Sequence, residues 1–167
     1  MTNSGRPSAT DIEPIRGLLD ACEYEPISDY AVIGDCHSAA LVSRCGSIDW
    51  MCMPHFSAPS VFAALLDRRR GGRFLIRPRD VQRVERRYVG RSAVLETTFH
   101  CADGLLKLTD FMTVPLAEDS FHRLFRRVDC DQGEVAADVA YQPLPADDSS
   151  ATHSELREER RCAFTHT

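Results

Sequence analysis

The stretch AALVSRCGSIDWMCM, from Ala39 to Met53, decides the fold class of this chain. It consists of two largely apolar runs, Ala39–Arg44 and Ser47–Met53, on either side of Cys45–Gly46. Two-residue loops with glycine in second place are typical of hairpins whose turn matches the twist of the strands. The stretch therefore predicts an antiparallel hairpin, in which Cys45 must adopt a positive φ.

The chain beyond this hairpin continues as short apolar or alternating runs separated by Gly, Pro and Asp, the pattern of strands joined by turns. One segment, Ser60–Leu66, predicts a short helix instead, and Ala102–Gly104 contains an Asp-Gly pair that predicts a second hairpin. Strands with turns between them and one short helix favour an all-β fold, an antiparallel β-sandwich of two sheets. The further predicted strands are Gly72–Ile76, Gln82–Val89, Ala93–Cys101, Leu105–Met112, His122–Val128 and Val135–Tyr141.

Composition changes divide the chain into three parts. Residues 1–26, rich in Ser, Thr, Pro and Glu, are expected to form a flexible leader. Residues 27–145 carry the strand pattern and are expected to form the β-sandwich domain. Residues 146–167 are expected to form a polar tail, a solvated segment or a short exposed helix, because neither a strand nor a core pattern continues there.

The composition is that of an ordinary globular protein, with 43% hydrophobic and 27% charged residues and a formal net charge of -5. Without a long basic run, nucleic acid is not an expected partner, and without a long apolar run neither is a membrane. The polar N-terminus lacks a hydrophobic signal, so a cytoplasmic location is expected.

The seven cysteines form no C-x-x-C pair, so reduced thiols are expected and no metal or cofactor is predicted.

The segments Pro26–Cys36, Ala39–Arg44 and Gly46–Pro54 together resemble the opening of family 15 glycoside hydrolases, the trehalase and glucoamylase-like enzymes. The similarity continues in order through about residue 143, which makes it far more specific than any of its short pieces. The later matching segments are Phe56, Pro59–Asp67, Gly72–Phe74, Arg87–Tyr88, Leu95–Thr97, Asp103–Gly104, Leu108–Met112 and Arg126–Val128.

The resemblance implies a β-sandwich that precedes an (α/α)6 barrel in the family. In such enzymes the barrel supplies two Glu residues that hydrolyse α-glucosidic bonds, as in trehalose or malto-oligosaccharides, with inversion. Inversion requires two carboxyl groups about 6.5 to 9.5 Å apart across the sugar. The expected role of this chain is that of a truncated or split scaffold and interface domain, with the barrel as partner in cis or in trans. The resemblance also implies further strands after Val135–Tyr141, so an incomplete sandwich is one expectation.

Five residues at the end of the first hairpin are the candidate site: Asp49, Trp50, Pro54, His55 and Phe56. They are expected to face either a carbohydrate or the partner barrel, with no catalytic role. Trp50 is the only tryptophan, and alternation with Ile48 favours its burial over sugar stacking. His55 and Ser57 stand where the family usually has Arg and Asp, and His37 and Cys45 also depart from its pattern.

Two other functions remain open. A standalone carbohydrate-binding module would use exposed aromatic rings, with Tyr30, Trp50 and Phe56 as candidates and an α-glucoside as ligand. A small hydrolase would need two opposed carboxylates. Its candidates are Asp35, Asp49, Glu96, Asp103 and Asp110, of which Asp103 is explained by its turn and Glu96 and Asp110 are expected to point outward from strands.

Overall fold

The structure, a computed structural model, describes residues 25–114 and 121–144 and the backbone of two strands within 152–166. Two antiparallel sheets account for most of it, which confirms the all-β sandwich. Sheet A contains β1, β2, β3, β5 and β10 in that order, with β4 paired to β3, and sheet B contains β6 to β9 in sequence order. The strands are β1 Ala31–Gly34, β2 Ala39–Val42, β3 Ser47–Cys52, β4 Ser60–Phe62, β5 Arg73–Pro78, β6 Val81–Tyr88, β7 Leu95–Cys101, β8 Gly104–Thr113, β9 Arg123–Gly133, β10 Ala137–Gln142, β11 Thr152–Arg157 and β12 Arg161–His166.

The core lies between the two sheets. One cluster joins residues of sheet A, including Ile33 and Phe62, to Leu95 and Met112 of sheet B. A second cluster joins Ile76 of sheet A to three residues of sheet B, which are Phe99, Leu106 and Leu108. Burial of such side chains contributes about 1.5–3 kcal/mol each. The alternation in β8 produces this core directly, because every second residue from Leu106 to Met112 is buried.

The first hairpin is confirmed, but its turn is not the one predicted. Gly46 N–H donates to Ser43 O at 3.2 Å and Ser43 N–H donates to Ser47 O at 2.8 Å, so the loop has three residues. Gly46 takes the positive φ, +83°, as in a turn that ends in a glycine bulge. Cys45 is not among the described non-glycine residues with positive φ, so the strain expected at that position is absent.

The predicted helix over Ser60–Leu66 is wrong. Residues Ser60–Phe62 form β4 on the edge of β3, and the chain then turns. Ala63 and Ala64 donate their N–H groups to the carbonyls of Gly71 and Gly72, at 2.5 and 3.1 Å. Those donors are therefore unavailable to a helix. Within the described residues the helical structure is a 3-10 turn, Ile27–Asp29.

The C-terminal segment also differs from expectation. Strands β11 and β12 pair with each other in antiparallel register, Thr152 opposite His166 and Arg157 opposite Arg161. A solvated tail or an exposed helix was expected there, so a strand pattern was missed. The leader over residues 1–26 lies outside the described residues, except for its last two positions.

Candidate functional site

A buried carboxylate joins two separate segments of the chain at one end of the sandwich. Asp35, in the β1–β2 loop, is fully buried and accepts hydrogen bonds from the N–H groups of His37 and Ser38, at 2.9 and 2.7 Å. His122, just before β9, places Nδ1 2.6 Å from Asp35 Oδ2. We call Asp35, His37, Ser38 and His122 the Asp35 cluster.

The electrostatics of this cluster favour the charged carboxylate. Burial by itself raises the pKa of Asp35, but the hydrogen bonds from His122, His37 and Ser38 outweigh burial and hold that pKa below its ordinary value. An ionised carboxylate only accepts hydrogen bonds, so the His122 proton that faces it is on Nδ1. The rings of His37 and His122 meet edge to face with centroids 5.4 Å apart.

The Asp35 cluster also positions the β3–β4 loop, residues 53–59. The Ser38 hydroxyl donates to the carbonyl of Cys52, and Phe56 N–H donates to His37 O at 2.9 Å. Within the loop, Ser57 Oγ lies 3.0 Å from His55 Nδ1. Pro54, His55 and Phe56 are exposed as a result, Phe56 by 60%.

Asp49 lies elsewhere and serves the interior of sheet A. It is the extra residue of a bulge, since Leu41 pairs with Trp50 while Val42 pairs with Ile48. Its carboxylate accepts hydrogen bonds from the hydroxyls of Tyr30 and Ser47, at 2.7 and 2.5 Å. Burial, and then the bond to Asp49, raise the pKa of Tyr30. Arg73 Nε approaches within 3.8 Å of Asp49, and both side chains are nearly inaccessible.

The same bulge changes the environment predicted for Trp50. Simple alternation places Trp50 beside Ile48 in the core, but the extra residue shifts the alternation, so that Met51 joins Ile48 in the core. Trp50 is instead half-buried, in a cross-strand row with Leu41 and Val32. Val32 at the end of that row is 50% exposed.

The five predicted site residues therefore fall into two groups. Pro54, His55 and Phe56 share one exposed loop, whereas Asp49 and Trp50 lie in β3, Asp49 buried in a polar network. The meeting of Asp35 and His122 has no local sign in the sequence, because the two residues are separated by 87 positions. One feature of the sequence does indicate an inward His122: it lies two residues before Leu124, and side chains two apart in a strand point to the same face.

The remaining acidic candidates have structural partners. Asp110 was predicted to point outward, which is wrong: it is fully buried, and Arg126 Nε lies 2.8 Å from its Oδ1. Glu96 does point outward, and it accepts a bond from Arg87 Nε at 2.8 Å. In the described part of the chain, no group of three or more His, Cys, Asp and Glu side chains could hold a metal ion.

Fold and site together define a scaffold class: a two-sheet β-domain whose buried carboxylates tie loops and strands together. The family model described as "Trehalase-like, N-terminal" matches residues 16–161, so the chain belongs to the trehalase-like N-terminal domain family. No solved structure matches the chain.

The curated relatives that the chain resembles are trehalases, in line with this family. The chain is 34% identical over 137 residues to a trehalase of Mycolicibacterium smegmatis and 33% identical over 137 residues to one of Mycobacterium tuberculosis. It is 37% identical over 116 residues to Trehalase 2 of Sulfolobus acidocaldarius. These matches cover 72%, 72% and 70% of this chain but 20%, 20% and 18% of the relatives. The chain thus spans about a fifth of the relatives' length.

Among the described residues, no helix is long and apolar enough to cross a membrane.

Proposed function

We propose that this chain is the non-catalytic N-terminal scaffold of a trehalase or glucoamylase-like hydrolase, and that an (α/α)6 barrel, in cis or in trans, performs the hydrolysis. Family membership and the names of the relatives support an α-glucosidic substrate such as trehalose. The relatives' additional length, about four times the matched part, provides room for a barrel.

The observation that carries the proposal is the state of the buried carboxylates. Asp35, Asp49 and Asp110 are each buried and each bonded to a partner that stabilises the fold. An inverting hydrolase needs two carboxyl groups with sugar and water between them, about 6.5 to 9.5 Å apart. Carboxylates bonded within the core cannot meet that requirement, so catalysis is assigned to another part of the enzyme.

The interface with the barrel is assigned to the β3–β4 loop. Pro54, His55 and Phe56 are exposed there, and the Asp35 cluster fixes the loop from beneath. A fixed loop with an exposed aromatic ring suits a domain interface, because little conformational entropy is lost on docking. Asp49 and Trp50, although predicted with this group, lie in β3 outside this loop.

The test begins with the DNA beyond codon 167 and with glucose release from trehalose. We expect that a reading frame for a helical barrel with two catalytic Glu residues is found there or in a separate gene. The 167-residue chain alone should release no glucose, and the chain joined or mixed with the barrel should do so. Turnover by the pure chain, or a genome without such a barrel, would contradict the proposal.

The interface assignment has its own matched pair of variants. Phe56→Ala in the complete enzyme should lower the thermal midpoint and the activity. Leu66→Ala, which removes a side chain 76% exposed outside the loop, should change neither. Equal behaviour of the two variants would remove the loop from the interface while leaving the scaffold role standing.

The exposed ring of Phe56 also favours a second candidate, a module that binds α-glucosides by itself. Of the other aromatic candidates, Tyr30 is hydrogen-bonded to Asp49 and Trp50 is half-buried, so Phe56 would dominate. Calorimetry with trehalose, maltose and soluble starch tests this candidate. Heat with any of them that disappears in Phe56→Ala would support it, and no heat with all three would exclude it.

A cytoplasmic location is part of the proposal. None of the five described cysteines, Cys36, Cys45, Cys52, Cys101 and Cys130, forms a disulfide, which suits a reducing compartment. Cell fractionation with an antibody to this chain tests the location, and recovery from the secreted fraction would contradict it.

A further inference from the structure

The four lateral edges of the sandwich are not equivalent. On one side, the Tyr88 hydroxyl of β6 bonds both backbone groups of Val32 in β1, at 3.0 Å to N and 2.8 Å to O. Arg44 Nη2 reaches the carbonyl of Val84 in β6 at 3.2 Å. Side chains thus occupy backbone groups of both edge strands there, which is one way in which proteins protect a sheet edge.

The other side ends in β9 of sheet B and β10 of sheet A. Val128 in β9 pairs with Leu108, and Val139 in β10 pairs with Ile76. Leu108 and Ile76 belong to one core cluster, so both valines flank that cluster from the same side. They are nevertheless 45% and 60% exposed. The core is therefore incompletely covered at this side.

Strand β9 is also long for an edge strand, with 11 residues, and β8 is its paired strand in the described part of the chain. Natural edge strands are commonly short or interrupted by proline, because a long regular edge invites pairing with another chain. β9 contains no proline over Arg123–Gly133, and its one register shift, at Asp131, leaves Arg123–Cys130 as a regular segment. It thus presents a template for one more strand.

The order of charges along β9 indicates which strand can pair with it. Outward side chains in its first half are cationic at Arg123 and Arg127, and those in its second half are anionic at Asp129 and Asp131. An antiparallel copy of the same strand reverses this order. With the axis at Val128, each Arg127 faces Asp129 of the other copy, and the two exposed valines face each other. β10 has no such self-complementary pattern, because its charged residue is Asp138 alone.

We propose that β9 is a dimerisation edge: two copies of this chain pair their β9 strands antiparallel about a two-fold axis at Val128, which joins their B sheets. The contact is isologous, so each attractive pair occurs twice. In the single chain, Arg127 Nε lies 2.8 Å from its own Asp129 Oδ2, in an exposed pair that costs little to exchange for an intermolecular pair.

Sedimentation equilibrium of the full 167-residue chain, over about two decades of concentration, tests the proposal. We expect a monomer–dimer equilibrium. Arg127→Asp creates two like-charge contacts across the axis and should weaken the dimer about tenfold. Asp129→Arg should do the same, and the double variant Arg127→Asp with Asp129→Arg should restore the dimer. The control Arg87→Asp reverses an exposed charge in β6 and should leave the dimer unchanged.

Circular dichroism shows whether each variant is folded. If a charge variant does not fold, Val128→Lys, which places two ammonium groups at the axis, provides a second disruption. A wild-type chain that is monomeric throughout, or a dimer that none of these variants weakens, would overturn the proposal. Neither result bears on the scaffold role, which depends on glucose release and on the partner barrel.

Discussion

At the scale of single residues, Asp35 and Asp110, two carboxylates considered for a hydrolase, are structural. Asp35 ties the β1–β2 loop to His122, and Asp110 holds Arg126 between the sheets. A buried charge is tolerated only when it is paired and hydrogen-bonded. Asp35 meets that condition through a partner 87 residues away, and Asp110 meets it through the residue opposite on the neighbouring strand.

Asp35→Asn should destabilise the domain by about 1–3 kcal/mol at pH 7, because it weakens three hydrogen bonds to a buried charge. Since the pKa of Asp35 is lowered from its ordinary 3.8, its contribution is present above that value and is lost as the pH falls through the lower folded pKa. The difference between wild type and variant in urea unfolding should therefore shrink below about pH 4.

Asp67→Asn is a suitable control for this experiment, since Asp67 also accepts backbone hydrogen bonds, from Arg69 and Arg70, but is exposed. Its effect on the free energy of unfolding should be the smaller one at pH 7. If the loss of unfolding free energy in Asp35→Asn does not depend on pH, the ionised form of Asp35 is not what stabilises the cluster.

At the scale of elements, the β2–β3 hairpin depends on one glycine. Gly46 has a positive φ, and a Cβ there would lie 2.3 Å from the carbonyl oxygen of Ile76 in β5. The turn and the β3–β5 pairing thus meet at this residue. Any side chain at position 46 strains both the turn and the neighbouring strand.

Gly46→Ala should therefore lower the free energy of unfolding by clearly more than the roughly 1–2 kcal/mol expected for left-handed backbone strain alone. Gly90→Ala measures that strain by itself, because Gly90 has a φ of +57° and no atom within 4 Å of its added Cβ. Thermal unfolding of the two variants checks the difference. Equal midpoints would mean that the Ile76 carbonyl moves away from the added Cβ without a loss of stability.

At the scale of the molecule, Arg126 joins the two sheets. From β9 it pairs with Asp110 and donates to the carbonyls of Phe74 in β5 and of Gly46 in the β2–β3 turn, at 2.6 and 2.8 Å. Its guanidinium carbon also lies 4.8 Å from the centroid of the Phe74 ring. Because these contacts span the core, the two sheets should unfold together.

Arg126→Ala should lower stability by about 3–5 kcal/mol, because it leaves Asp110 buried without its partner. Arg87→Ala, which removes one partner of an exposed ion pair in β6, should cost less than about 1 kcal/mol. In the wild type, fluorescence of Trp50 in sheet A and far-ultraviolet circular dichroism of both sheets should give the same urea midpoint. Separate midpoints would show that the sheets are independent.

Local patterns in the sequence determined most strands of the two sheets, both hairpins and the family, because alternation and turn residues act over a few neighbours, but they did not reveal β4, β11 or β12. Only the tertiary structure decided that Ser60–Leu66 is not a helix, that Trp50 is half-buried and that Asp35 meets His122. Ala63 and Ala64 bond to distant glycine carbonyls, and one bulge at Asp49 changes which face the following residues take. Pairings between residues far apart in the chain leave no local periodicity, so they become visible only when the sheets are assembled.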